Sequence, residues 1–175
     1  MPTAKSAKRS PSDRGVRPAQ VEDGEAKLDS FFAKYTPEIA AQAREIRQEM
    51  REQYPMALEL VYDNYNALAI GFGPTERTSE AIFSITLFPR WVSLFFLQAK
   101  GLPDPDGLLK GSGNVARHVV VSYVAMLKEP AVRALMQNAE ALAKVPFDAR
   151  SEHRLIIKSI SKKQKNRRPA TELAR

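Results

Sequence analysis

The chain of 175 residues holds no cysteine, is 43% hydrophobic and 27% charged, and carries a formal net charge of +7. Disulfides, thiolate nucleophiles, zinc ribbons and iron–sulfur ligation are thereby excluded, and the length suits one compact domain. With no run of about 20 apolar residues and no apolar core near the N-terminus, a cytoplasmic protein without a membrane partner is expected.

The basicity is unevenly spread. Residues 1–20 set five cations against Asp13 (+4), residues 158–175 set seven against Glu172 (+6), and the middle is left at −3. Residues 1–24, rich in Pro, Ser, Lys and Arg without apolar periodicity, are expected to form a disordered basic tail. A single domain follows over 25–160, and a second basic tail over 161–175. Such tails attract nucleic acid by counterion release, with strong salt dependence, but are more often solvated ends.

Within the domain, "KLDSFF" suggests a short helix capped by Asp29 or Ser30. The next segment, "TPEIAAQAREIRQEMREQYP", has Thr36 as N-cap, Pro37 at the first helical position and Pro55 as a stop. At 100° per residue, Ile39, Ala43, Ile46, Met50 and Tyr54 form a core face. Glu38, Glu45, Glu49 and Glu52 form an acidic stripe, and Arg44, Arg47 and Arg51 a basic one. After Pro55 the period becomes two. "LELVYD" alternates Leu58, Leu60 and Tyr62 with Glu59, Val61 and Asp63, "NYN" turns, and "ALAIGFG" returns with Leu68, Ile70 and Phe72 on one face. "AIFSITLF" and "WVSLFFL" extend the meander, "ARHVVVS" supplies a fifth strand, and "HRLIIKSI" a final one. A second amphipathic helix, "EPAVRALMQNAEALAKV", turns Val132, Leu135, Met136, Ala139 and Leu142 inward. The expected fold is therefore α+β: an antiparallel meander of five to six strands with two main helices on one face.

Three groups of residues invite a functional reading. In "LLKGSGNVARHVVV", Lys110 precedes the glycines and β-formers follow Asn114, so neither a nucleotide P-loop nor a dinucleotide fingerprint fits. Gly111 and Gly113 are expected to supply positive φ in a turn, and Lys110, Gly111, Ser112, Gly113 and Arg117 form at most a modest anion nest. His118, opposite Arg117, is expected to be structural. Next, Tyr62, Tyr65, Trp91 and Phe95 lie in or beside the meander, with Trp91, Ser93, Phe95 and Leu97 on the strand face opposite Leu94 and Phe96. A sheet covered by helices on one side leaves such rings to be shielded by the 98–116 loop, a homodimer, another protein or a small molecule.

The segments "LELVYDNYNALAIGFGPTE", "SITLFPRWVSLFFLQ", "LPDPDGLLKGSGNVARHVVV" and "LIIKSISKKQKNRRP" resemble the YdhG-like bacterial domain of unknown function over about Glu38 to Pro169. The resemblance implies a compact α+β domain with no agreed enzymatic activity, in which the glycine stretch leads into a strand. One branch of that family is described as frataxin-like intracellular iron chaperones. That would make Glu45, Glu49 and Glu52, at i, i+4 and i+7, a weak surface site for iron, although no histidine joins them. No nucleophile, base and oxyanion donor assemble in any motif, so a non-catalytic binding domain without a required cofactor is expected. An iron chaperone and a nucleic-acid binder acting through its tails are the alternatives.

Overall fold

The computed structural model of the chain describes residues 18–170. Three helices, α1 (Pro18–Phe32), α2 (Pro37–Gln53) and α3 (Pro130–Leu142), accompany six strands. The strands are β1 (Leu58–Asp63), β2 (Leu68–Gly73), β3 (Phe83–Leu87), β4 (Val92–Phe96), β5 (Arg117–Val121) and β6 (Leu155–Ile160). They form one sheet in the order β5-β4-β3-β2-β1-β6. Each of the first four pairings is antiparallel, as expected of a meander, whereas β6 joins the free edge of β1 in parallel. The helices pack on one face, so the expected α+β architecture holds. No helix among the described residues is long and apolar enough to cross a membrane.

The α2 helix begins and ends where its local chemistry dictates. Thr36 Oγ1 accepts the Ile39 amide, Pro37 occupies the first turn, and the chain leaves the helix at Tyr54, ahead of Pro55. Ile39, Ala43, Ile46, Met50 and Tyr54 are all buried against the sheet. There they meet Val61, Ile70, Phe72, Phe83, Ile85, Leu94 and Phe96. Tyr35, in the α1–α2 joint, ties the layers together. Its hydroxyl donates to the Leu87 carbonyl at 3.0 Å and accepts the Leu68 amide at 2.9 Å. Burial pushes its ionisation up to about 12.

Several expectations need correction. The segment read as a tail over 1–24 is helical from Pro18, and α1 makes a third helix that runs through Asp29 and Ser30 instead of being capped by them. Gly24 meets Leu155 of β6, so what stabilises this helix is its seat on the sheet more than its local sequence. The remainder of that tail, residues 1–17, lies outside the described residues. In β1, where alternation leaves the choice of face open, the charged set Glu59 and Asp63 shares the helix-covered face with Val61. Leu142 is 48% exposed instead of facing the core. Of the 98–116 loop, Ala99, Leu102 and Leu109 join the main core, while a Cβ at Gly111 would stand 3.5 Å from His118 on the opposite face.

Burial of two carboxylates is feasible because each is surrounded by donors. Glu59 accepts Arg47 Nε at 2.5 Å, Arg51 Nε at 3.3 Å and His153 Nε2 at 2.7 Å. Glu25 of α1 takes the other side of Arg47 in a bidentate pair at 2.7 and 2.8 Å. Arg47 is thus a buried ion-pair residue, although the helical wheel assigns it to a solvated stripe. Asp63, fully buried, accepts Lys34 Nζ at 2.5 Å and Arg167 Nη2 at 3.1 Å. Arg167 is 3% exposed and Arg168 Nη2 donates to the Ala33 carbonyl at 3.3 Å, so the segment expected to be a solvated tail over 161–175 is docked at least to Arg168. The Ser161 amide reaches the Asp63 carbonyl, and the Lys165 amide the Tyr65 carbonyl, both at 2.8 Å. Residues 171–175 lie outside the described residues.

Candidate ligand-binding face

Strand register fixes what the sheet presents away from the helices. One row across it reads Val120, Ser93, Thr86, Ala69, Tyr62, Ser159, and the next reads His118, Phe95, Ser84, Gly71, Leu60, Ile156. Small side chains occupy the middle strands, and larger ones the flanks. By side-chain size this is a shallow trough, with residues without bulk on β2 and β3 between rings on β4–β5 and on β1, although Ser93, Ser84, Gly71 and Leu60 within it are themselves buried. Three interstrand steps, about 14 Å, separate β4 from β1.

Each wall is built by a definite contact. The Phe95 and His118 rings stack at 4.8 Å and 28°. Burial, together with the nearby Lys110 charge, holds the His118 imidazole below its usual pKa, favouring the neutral ring. On the other side Tyr62 shares a 2.5 Å hydrogen bond with Thr78 of the β2–β3 loop. That loop crosses towards β6, where Glu76 receives Arg154 Nη2 at 2.8 Å and its carbonyl receives Lys158 Nζ at 3.1 Å. Across the end of the trough, Phe88 and Trp91 stack at 5.0 Å and 26° around the β3–β4 turn. Ser84 and Thr86 hydroxyls lie 3.4 Å apart on the floor. Ser93 beside them is fully buried, with an Oγ that has no hydrogen-bond partner.

The four candidate aromatics are therefore divided. Tyr62 and Phe95 wall the trough and Trp91 stands at its end, as alternation predicts. Tyr65 does not join them: it is 49% exposed on the β1–β2 turn, with Lys165 Nζ 5.5 Å from its ring centre.

The glycine stretch is a turn. Gly111 has φ 101°, and Lys110 forms an antiparallel bridge with His118. Gly113 corrects the expectation, because its φ is not positive; a Cβ there would stand 2.9 Å from the Ala116 carbonyl, so close approach demands glycine. Arg117 donates Nη2 to the Leu109 carbonyl at 2.8 Å, so one of the two cations expected beside the nest is already hydrogen-bonded.

The acidic stripe is likewise not an open array. Glu45 and Glu52 are exposed, but Glu49 is buried, with Lys128 Nζ at 2.9 Å and the Gln53 amide at 2.9 Å. Burial opposes its ionisation, yet Gln53 and Lys128 outweigh that and hold its carboxyl below the usual range. Among the described residues no three His, Asp or Glu side chains are grouped to hold a metal ion.

Two clefts escaped sequence reasoning because distant segments form them. One of about 560 Å³ lies between the end of α2 and α3, lined by Tyr54, Met56, Arg133, Glu140 and Phe147 among others. Its phenol is committed: Tyr54 donates to Glu140 at 2.7 Å, and burial and that carboxylate push its ionisation well up. The other, of about 470 Å³, has Ala81, Leu97, Val115 and Leu142 beside Lys100 and Lys144. No family model, curated protein or solved structure matches the chain.

Proposed function

We propose that this protein is a non-catalytic binding domain whose uncovered sheet face takes a flat, partly aromatic small molecule. The observation that carries the reading is the buried, unpartnered Ser93 hydroxyl on a floor of small residues between aromatic walls. A buried hydroxyl without a partner costs free energy, and a ligand group that displaces the side chains covering Ser93 would recover that cost. The stacked Phe95–His118 pair offers an edge on which a planar ring could pack, with Tyr62 opposite. We read the domain as non-catalytic from how its polar groups are spent. His118 is stacked and makes no side-chain hydrogen bond among the described residues, and the floor hydroxyls have no base beside them. The resemblance to the YdhG-like domain agrees with such a role. Iron held on α2 has less support, because Glu49 is already paired with Lys128.

Trp91 at the trough end is the chain's only tryptophan, so its emission reports occupancy directly. In a screen of planar aromatic acids and heterocycles, binders are expected to shift or quench that emission. Phe95→Ala should weaken them about tenfold, the loss of roughly one aromatic contact. Affinity unchanged in Phe95→Ala, or no response from any compound, would remove the proposal.

A further inference from the structure

The two hairpin turns and the chain after β5 emerge at the same end of the sheet, because Asp63, Leu68, Leu87, Val92 and Val121 lie in register. The docked segment after β6 passes there too. Residues 64–67, 88–91, 122–123 and 161–170, which make up this end, contain no Asp or Glu. They expose Arg90, Lys162, Lys163, Lys165 and Arg168. They also expose three rings: Tyr65 (49%), Trp91 (43%) and Tyr123 (53%). Among the described residues, Asp63 beside this end is buried under Lys34 and Arg167, and Glu129 accepts the Tyr123 hydroxyl.

We propose that this sheet end binds single-stranded nucleic acid, with phosphates on the lysines of the docked segment and bases stacked on Tyr65 and Trp91. Charge complementarity names a polyanion, and exposed rings among the cations name one with accessible planar faces. A single strand supplies both, while a duplex keeps its bases inside the stack. The arrangement is preformed. Arg167 fastened to Asp63, and the Lys165 amide fastened to Tyr65, hold Lys162, Lys163 and Lys165 beside the turn instead of letting them trail in solvent. The two turns are two interstrand steps apart, about 10 Å, which an extended strand can bridge. This surface is separate from the trough, and Trp91 alone stands at the border of both.

Fluorescence anisotropy with a labelled 12-nucleotide oligo(dT), its duplex counterpart and phosphatidylglycerol vesicles tests the proposal on the full chain. Single strands should bind more tightly than duplex, with a salt slope of about −2 to −3, corresponding to three or four neutralised phosphates. Replacing Lys162, Lys163 and Lys165 together by alanine should flatten the slope by about 2, and Tyr65→Ala should lower affinity about tenfold with the slope unchanged. Phe95→Ala should leave binding intact, which separates this surface from the trough whatever the ligand screen returns. Equal affinity for duplex, preference for the vesicles, or a neutral Tyr65→Ala would overturn the proposal. So would loss of binding on replacing Lys5, Lys8, Arg9, Arg14 and Arg17 by alanine in the otherwise intact chain.

Discussion

Arg167 and Arg168 are neighbours in a run of cations, yet one is 3% exposed and the other lies at the surface. The difference is made by Asp63, 104 residues earlier, whose carboxylate would otherwise be left with Lys34 as its only charged partner. Removing one member of a buried pair leaves the other uncompensated, so Arg167→Met should cost on the order of 3 kcal/mol in urea unfolding. Asp63→Asn should rescue part of it, with a coupling of about 1–3 kcal/mol in the double-mutant cycle. Additive effects would show that Arg167 is not held by Asp63. Single-residue facts of this kind are invisible in a linear reading, since composition marks a basic run as solvated and only the fold selects which guanidinium goes inside. The same holds for Glu49 and Arg47, which a helical wheel assigns to polar stripes and the packed sheet and Lys128 place elsewhere.

Elements were legible wherever their own residues set their limits. Thr36, Pro37 and Pro55 bracket α2, and alternation locates β1 to β5, because capping and pleating are local physics. Thr36→Ala should accordingly remove about 1 kcal/mol, read as a lower urea midpoint with an unchanged slope; no shift would mean that the Thr36–Ile39 contact contributes nothing. By contrast α1 has weak local signals: Glu22, Asp23, Gly24 and Glu25 form no apolar stripe, and β6 is what gives it a seat. Which face of β1 meets the helices was hidden for a related reason. Alternation gives two faces, and ordinary hydropathy favours Leu58 and Leu60 over Glu59 and Asp63 for the covered one. Ion pairs from α1, α2 and the C-terminal segment reverse that choice.

On the scale of the whole molecule, the site was partly readable. Trp91, Ser93 and Phe95 on a common uncovered face follow from period two, but the trough needs Ala69, Gly71, Ser84 and Thr86 from other strands in register, which no single segment announces. The ion-pair network joining α1, α2, β1 and the approach to β6 also acts globally, and it gives the fold an acid limit. The bond from Arg47 lowers the Glu25 carboxyl below its ordinary 4.5 despite the opposing effect of burial, with further help from Arg51 and His153. A depressed carboxyl stabilises the fold above its unfolded value and loses that contribution as pH falls through the folded one. Glu25→Gln should therefore be less stable than the parent at pH 7, and the gap should narrow as pH drops below about 4.5. A gap constant with pH would detach Glu25 from the acid limit.

The parallel pairing of β6 with β1 also has a bearing on synthesis. The ribosome makes β1 well before the histidine and arginine that complete the hydrogen-bond shells of its two inward acids, which lie 94 and 104 residues downstream. Until then the sheet has an open edge with unpaired amides and two carboxylates whose shells are incomplete, so cooperative folding waits for the segment from His153 to Arg167. Such long-range closure favours slow folding, and nascent chains stalled before His153 would be ready substrates for chaperones and proteases.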